Sequence, residues 1–208
     1  MQKISHFPAA EKEREPTERR AVKTRRFALF SPPFLCYNKG MDYYVFMDEA
    51  IKEAKKAEAE GDVPVGAVAV LNGEIIGRGH NQKERDQDPA GHAEIAALRE
   101  AAAYLQNWRL QDVTLFVTME PCPMCAGAII NARIPRVVYG ASDRKAGCCG
   151  SILNLFDAPF NHHPEVVGGV LAEESAALLA AFFASLRERR LPRRHRRDFM
   201  PPDKQKNG

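Results

Sequence analysis

The chain has no apolar run of about 18 residues, so nothing in it reads as a membrane-spanning helix. Cysteine is scarce, five among 208 residues, and a chain of this length buries enough core to fold without disulfides. Internal repeats are absent. Neither charge dominates: 30 basic and 27 acidic residues leave a net of +3. With 45% hydrophobic and 27% charged residues, the composition excludes a wholly disordered chain, a collagen and a disulfide scaffold. No secretory signal is evident, because the apolar patch at residues 27–35 is short and broken by Pro32 and Pro33. Four Glu between residues 11 and 18 argue against an organelle transit peptide. Such a chain is expected to work in a reducing cytoplasm.

The balanced charge conceals an uneven distribution. Residues 1–40 carry nine Lys/Arg against four Glu, and residues 186–208 carry nine against three acids. The body between them is therefore acidic. Basic ends are the electrostatic footprint of a polyanionic partner, although solvated tails have the same composition. Residues 1–40 show no sustained helical or strand period and are expected to be a disordered extension. Regular patterning begins just after Met41, which is expected to be the natural start. Residues 41–190 are expected to form one domain, followed by a basic tail over 191–208.

Within that domain, Met47, Ala50, Ile51, Ala54 and Ala57 recur at helical spacing, and Gly61 stops the helix. Apolar runs at 63–71 and 75–76 flank Asn72-Gly73, the signature of a tight β-hairpin. Residues 79–89 read as a polar loop. Helices are predicted over 92–104, over 123–132 with Pro123 in its first turn, and over 176–186. Strands are predicted over 113–118, 137–139 and 166–171. Helices alternating with strands indicate a layered α/β domain around one sheet.

Two short segments carry the chemistry: His92-Ala93-Glu94 and Pro121-Cys122-Pro123-Met124-Cys125. A lone His at a helix start is ordinarily a cap, and a lone Cys pair is a buried pair or a redox dithiol. Together they supply three soft-to-borderline metal ligands with a fourth position open, the pattern of a catalytic zinc site rather than a structural one. His162-His163 lies too far along the chain for a finger partner. Cys122 and Cys125 bracket a helix start, where free N–H groups and the helix dipole favour thiolates. Glu94 is placed to move a proton at water activated there, whereas an isolated Glu in a first turn would serve only as a dipole partner.

The combination H-x-E with P-C-x-x-C resembles the zinc-dependent nucleobase deaminases of the cytidine/deoxycytidylate deaminase superfamily. The stretches VPVGAVAV, GHNQ, DPAGHAEIAALR, NWRL, TLFVTMEPCPMCAGAIINARIPRVVYGASD and GVLAEE resemble the bacterial tRNA-specific adenosine deaminases. That resemblance implies a three-layer α/β/α sandwich with a central mixed sheet. It implies hydrolysis of the anticodon wobble adenosine to inosine, one Zn2+ per subunit, a tRNA anticodon stem-loop as partner, and a homodimer. Carried onto this sequence, His92, Cys122 and Cys125 become the zinc ligands and Glu94 the proton shuttle. Asn81, Ala93, Asp143, Phe182 and Phe183 become substrate-binding residues. Taken alone, Asn81 reads equally as an Asx-turn residue, and Phe182 and Phe183 as core. The family often has Arg where Ser142 stands here. Cys148 and Cys149 read as packing residues. Three alternatives stay open on the motif: a deaminase of a free guanine or cytosine base or nucleotide, a non-catalytic zinc RNA-binding subunit, and a redox dithiol.

Overall fold

The structure is a computed structural model and describes residues 42–190. The expectations for residues 1–40 and for the basic tail lie outside the described residues. Five strands form one sheet in the order β2-β1-β3-β4-β5. They are β1 (Gly66–Leu71), β2 (Glu74–His80), β3 (Val113–Met119), β4 (Arg136–Ala141) and β5 (Glu165–Gly168). β1 runs antiparallel to β2 and β3, whereas β3, β4 and β5 are mutually parallel. The sheet is thus mixed, as expected.

Helices cover both faces. α3 (Ala93–Leu105) and α4 (Pro123–Ala132) pack on Ala67, Ala69, Leu115, Val117 and Val137. α1 (Tyr43–Ala59) packs on Val68, Val70, Phe116 and Val138 from the opposite face. Successive side chains of one strand go to opposite layers, so a sheet covered on both faces needs apolar residues at every position. β3 meets that demand with Val113-Thr114-Leu115-Phe116-Val117-Thr118, all buried. α5 (Ala172–Arg190) sits on the α1 side, where Ser175 packs against Gly140. The result is the α/β/α sandwich.

Local chemistry sets most boundaries. Asn72 and Gly73 both take positive φ, 52° and 85°, and close the β1–β2 hairpin as predicted. α1 starts four residues before the first periodic position, because Asp42 caps it by accepting from the Tyr44 N–H at 3.0 Å. β1 starts at Gly66 rather than residue 63, as Pro64 has no N–H for a ladder. β2 extends to His80, and a single helical turn, α2 (Lys83–Asp86), stands where the sequence predicted only loop. β5 is shorter than predicted because Gly169, at φ 90°, turns the chain away.

The register gathers four strand ends at one edge of the sheet. Gly66 pairs with His80, and Met119 with Ala141. The entry to β1 and the exits of β2, β3 and β4 therefore lie together, beside the first turns of α3 and α4. Gly79 permits this approach: a Cβ there would drive into the backbone of Ala93 and Ala97 on α3. Gly79→Ala is expected to cost about 1–3 kcal/mol by overpacking. Gly127→Ala, on α4 with no atom within 4 Å of the added carbon, is expected to be neutral or slightly stabilising. Thermal unfolding of the two variants checks the contrast.

Candidate active site

Two helix starts build the centre. His92 is the N-cap residue of α3, with extended backbone (φ −89°, ψ 149°), and Cys122 is the N-cap residue of α4 (φ −76°, ψ 172°). Pro123 follows at the first helical position, where its missing N–H costs nothing. Cys125 lies one turn into α4 and is fully buried. The His92 Nδ1 atom lies 3.6 Å from Cys122 Sγ and 3.5 Å from Cys125 Sγ. All three donor atoms fall within 4.8 Å of one another.

This spacing fits a tetrahedral metal ion. Bonds of about 2.3 Å to sulfur and about 2.0 Å to nitrogen span an N···S edge of about 3.5 Å. The donors are titrated for the same task. The neighbouring Cys125 thiol holds Cys122 down to about 4 against the cost of burial, and His92 assists. Cys122 and burial push Cys125 upward. A cation held by both sulfurs would displace the proton that Cys125 retains. His92 is raised, chiefly by its contact with Cys122. His162 and His163 face the carbonyls of Ile134 (2.6 Å) and Phe156 (2.7 Å) instead, and Cys148 donates to the Ala146 carbonyl.

A pocket of about 200 Å³ opens beside the centre. Asn81, His92, Ala93, Glu94, Cys122 and Asp143 all line it. Six of the nine residues singled out in the sequence therefore meet here, and Cys125 lies behind Cys122. Phe182 and Phe183 sit on α5 and do not line the pocket: Phe182 is buried, Phe183 exposed, and their rings meet edge-on at 5.6 Å. Ala93, first residue of α3, brings an N–H without an intrahelical acceptor to the wall. Glu94 is 4% exposed, and burial pushes its carboxyl above the usual range. Asn81 makes no Asx turn; its amide donates to Asp62 at 2.6 Å.

Sequence reasoning missed Val63, Val65, Lys83, Met119 and Glu120 in the pocket wall. Glu120 is the most consequential. It is 2% exposed and accepts from the backbone N–H groups of Asp143 (3.0 Å), Cys149 (2.8 Å) and Ser151 (3.1 Å), and from the Ser151 hydroxyl. Burial pushes its carboxyl up, but these donors outweigh burial and hold it low. Cys148 N–H adds a bond to the Pro121 carbonyl at 2.9 Å. The loop that carries Asp143 is thereby fastened to the metal-binding turn. The only legible signal was its place directly before Pro121-Cys122.

The MafB19-like deaminase family matches residues 41–187. The chain is 54% identical to the tRNA-specific adenosine deaminase of Bacillus subtilis (strain 168) over 147 residues, 70% of this chain and 91% of that one. It is 52% identical to the enzyme of the same name from Haemophilus influenzae over 144 residues, 68% and 83% of the two chains. A solved structure from studies of A-to-I editing by tRNA:A34 deaminases at the wobble position of transfer RNA superimposes with a TM-score of 0.63 at 45% identity, covering 65% of this chain and 99% of that one. Guanine deaminase from Nitrosomonas europaea, at 24% identity, TM-score 0.56 and coverage of 68% and 84%, shares the fold.

Metal removal gives the direct test of the centre. Dialysis against a chelator is expected to lower the melting temperature, and one equivalent of zinc to restore it. Cys125→Ala is expected to bind no metal by elemental analysis and to show no such recovery.

Proposed function

The chain belongs to the tRNA-specific adenosine deaminases within the MafB19-like deaminase family, and we infer that it hydrolyses adenosine to inosine at the wobble position of a tRNA anticodon. The observation that carries this reading is the buried Glu94 carboxyl beside a three-ligand, half-open His-Cys-Cys centre. A structural metal site or a redox dithiol has no task for that carboxyl.

The metal we assign is zinc, held by His92 Nδ1, Cys122 Sγ and Cys125 Sγ, one ion per subunit. When bound, it supplies the Lewis acidity that makes water nucleophilic near neutral pH. Glu94 takes one proton from the attacking water on a carboxylate oxygen and delivers it to the ring nitrogen, then takes the second proton from the new hydroxyl at carbon 6 and delivers it to the amine, which departs as ammonia. Its raised proton affinity matches a group that must both accept and donate. The Ala93 N–H and the Asn81 amide orient the base. Asp143, held by Glu120, lies at the side from which the backbone enters. The pocket admits one base, so the target must leave its stack, which is cheap in a single-stranded anticodon loop.

We assign Phe183, exposed on α5, and its partner Phe182 to the RNA-facing surface beyond the pocket mouth, and the basic residues that follow α5 to phosphate contacts. Residues 41–190 are the catalytic domain in this reading, with 1–40 and 191–208 as appendages. No helix among the described residues is long and apolar enough to cross a membrane. The four described cysteines are free thiols, which supports a cytoplasmic setting.

We also infer a homodimer. The groove between α3 and α4, about 480 Å³, is lined by the apolar Ile95, Leu98, Ala102, Trp108, Leu110, Ala128 and Ala132 together with Arg99, Asn131 and Arg133, and Trp108 is half exposed. A face of this composition is the kind that a second copy covers. Ala128→Glu is expected to halve the mass seen by sedimentation and leave a folded subunit. An unchanged mass contradicts the assignment.

The activity itself is tested by incubating the zinc-loaded protein with an anticodon stem-loop bearing adenosine at the wobble position and sequencing the product. Inosine is expected there. Absence of inosine together with turnover of free guanine or cytidine contradicts the tRNA reading. Glu94→Ala is expected to keep its zinc and to lose at least about 10³-fold in turnover.

A further inference from the structure

Asp62 lies between α1 and β1, 1% exposed, and both of its oxygens are occupied. Oδ1 accepts from the Asn81 side-chain amide at 2.6 Å and from the Val63 N–H at 2.9 Å. Oδ2 accepts from the N–H groups of Glu84 at 2.8 Å and Arg85 at 3.1 Å, in the single turn of α2. One carboxylate therefore ties together the end of α1, the entry to β1, the exit of β2 and α2. Three of the residues on these segments, Val63, Asn81 and Lys83, line the pocket.

An asparagine amide can turn by half a rotation and exchange its oxygen for its nitrogen. The two orientations offer a ligand opposite hydrogen-bonding patterns. An ionised carboxylate only accepts, so it tolerates the amide nitrogen of Asn81 and repels the oxygen. With the nitrogen held by Asp62, Asn81 Oδ1 takes no hydrogen bond from any described residue, although the residue is only 7% exposed and lines the pocket. That oxygen is an acceptor held ready for a donor of the bound nucleoside, an exocyclic amine or a sugar hydroxyl.

We propose that Asp62 is a positioning residue: it locks the Asn81 amide in the one orientation that presents Oδ1 to the substrate. The proposal rests on the reading of Asn81 as a substrate contact. It differs from a merely structural role for Asp62, because it makes the effect of losing Asp62 depend on Asn81.

The test is a double-mutant cycle on the zinc-loaded enzyme with the wobble-adenosine stem-loop, using Asp62→Asn, Asn81→Ala and the double variant. Metal content and melting temperature are measured for each. With Asn81 present, Asp62→Asn is expected to lower kcat/KM by about tenfold or more. In the Asn81→Ala background the same change is expected to cost less than about threefold. An equal loss in both backgrounds overturns the proposal and leaves Asn81 as a contact. Wild-type kcat/KM in Asn81→Ala overturns the Asn81 reading and the proposal with it. A second measurement needs no variant to fold. In the wild-type protein the Asn81 side-chain NH2 is expected to show one slowly exchanging, downfield-shifted proton by NMR, and two rapidly exchanging protons overturn the lock.

Discussion

Three soft donors must be held within a few ångströms of each other, and the fold is arranged around that requirement. The hydrogen bonds among two thiols and an imidazole are too weak to assemble them from distant parts of the chain, so the scaffold has to impose their proximity. It does so by aiming the first turns of two parallel-packed helices, α3 and α4, at one edge of the sheet. Free N–H groups and the positive helix ends make that spot favourable for thiolates. Close docking of α3 on β2 depends on Gly79, and the sharp entry to α4 on Pro121 and Pro123. Positions that look like loop punctuation in the sequence are thus part of the metal centre.

Burial acts very differently on three acidic residues around the pocket. Asp62 and Glu120 are each saturated by four hydrogen bonds, mostly from backbone N–H groups. Each fastens a loop that contributes to the wall. Glu94 is as deeply buried, but no comparable set of backbone N–H groups donates to it, and burial dominates its shift. The hydrogen bonds donated to Glu120 favour its charged form, whereas burial favours the neutral form of Glu94. Glu120 is accordingly held low and Glu94 raised. The acid proposed to carry the proton is thus the one whose buried carboxyl is raised rather than held low.

The same distinction explains what could be read in advance. Helices α1, α3 and α4, the Asn72-Gly73 hairpin and strand β3 each announce themselves through local periodicity or turn chemistry, and they were legible. His92, Glu94, Cys122 and Cys125 were singled out by residue type and spacing, and the structure brings the three donors within 4.8 Å of one another with Glu94 in the wall of the adjoining pocket. Asp62 and Glu120 were not legible, since an acid that accepts backbone N–H groups from 22 to 31 residues away leaves no mark in its own neighbourhood. The turn α2 escaped for a related reason. Its N–H groups are satisfied by Asp62 rather than by any capping residue of its own, and Gln82 makes no side-chain cap.

Electrostatics separates binding from chemistry in this molecule. The residues lining the pocket include three acids, Glu94, Glu120 and Asp143, and a single Lys or Arg, Lys83. The body that carries them is acidic, and the surplus of Lys and Arg lies at the two ends of the chain. A polyanion approaching the pocket alone meets net repulsion, which screening confines to about 8–10 Å at physiological salt. Attraction must therefore come from groups farther out, and α5 leads there through Phe183, Arg187 and Arg189. This arrangement suits a long nucleic acid better than a free base. A free base has no phosphates for remote cations to hold, whereas an anticodon stem can be gripped at a distance while one base enters the acidic pocket. In the proposed reading the basic C-terminal end and the buried Glu94 divide the work: phosphate contacts would supply the affinity, and the buried carboxyl the proton transfer.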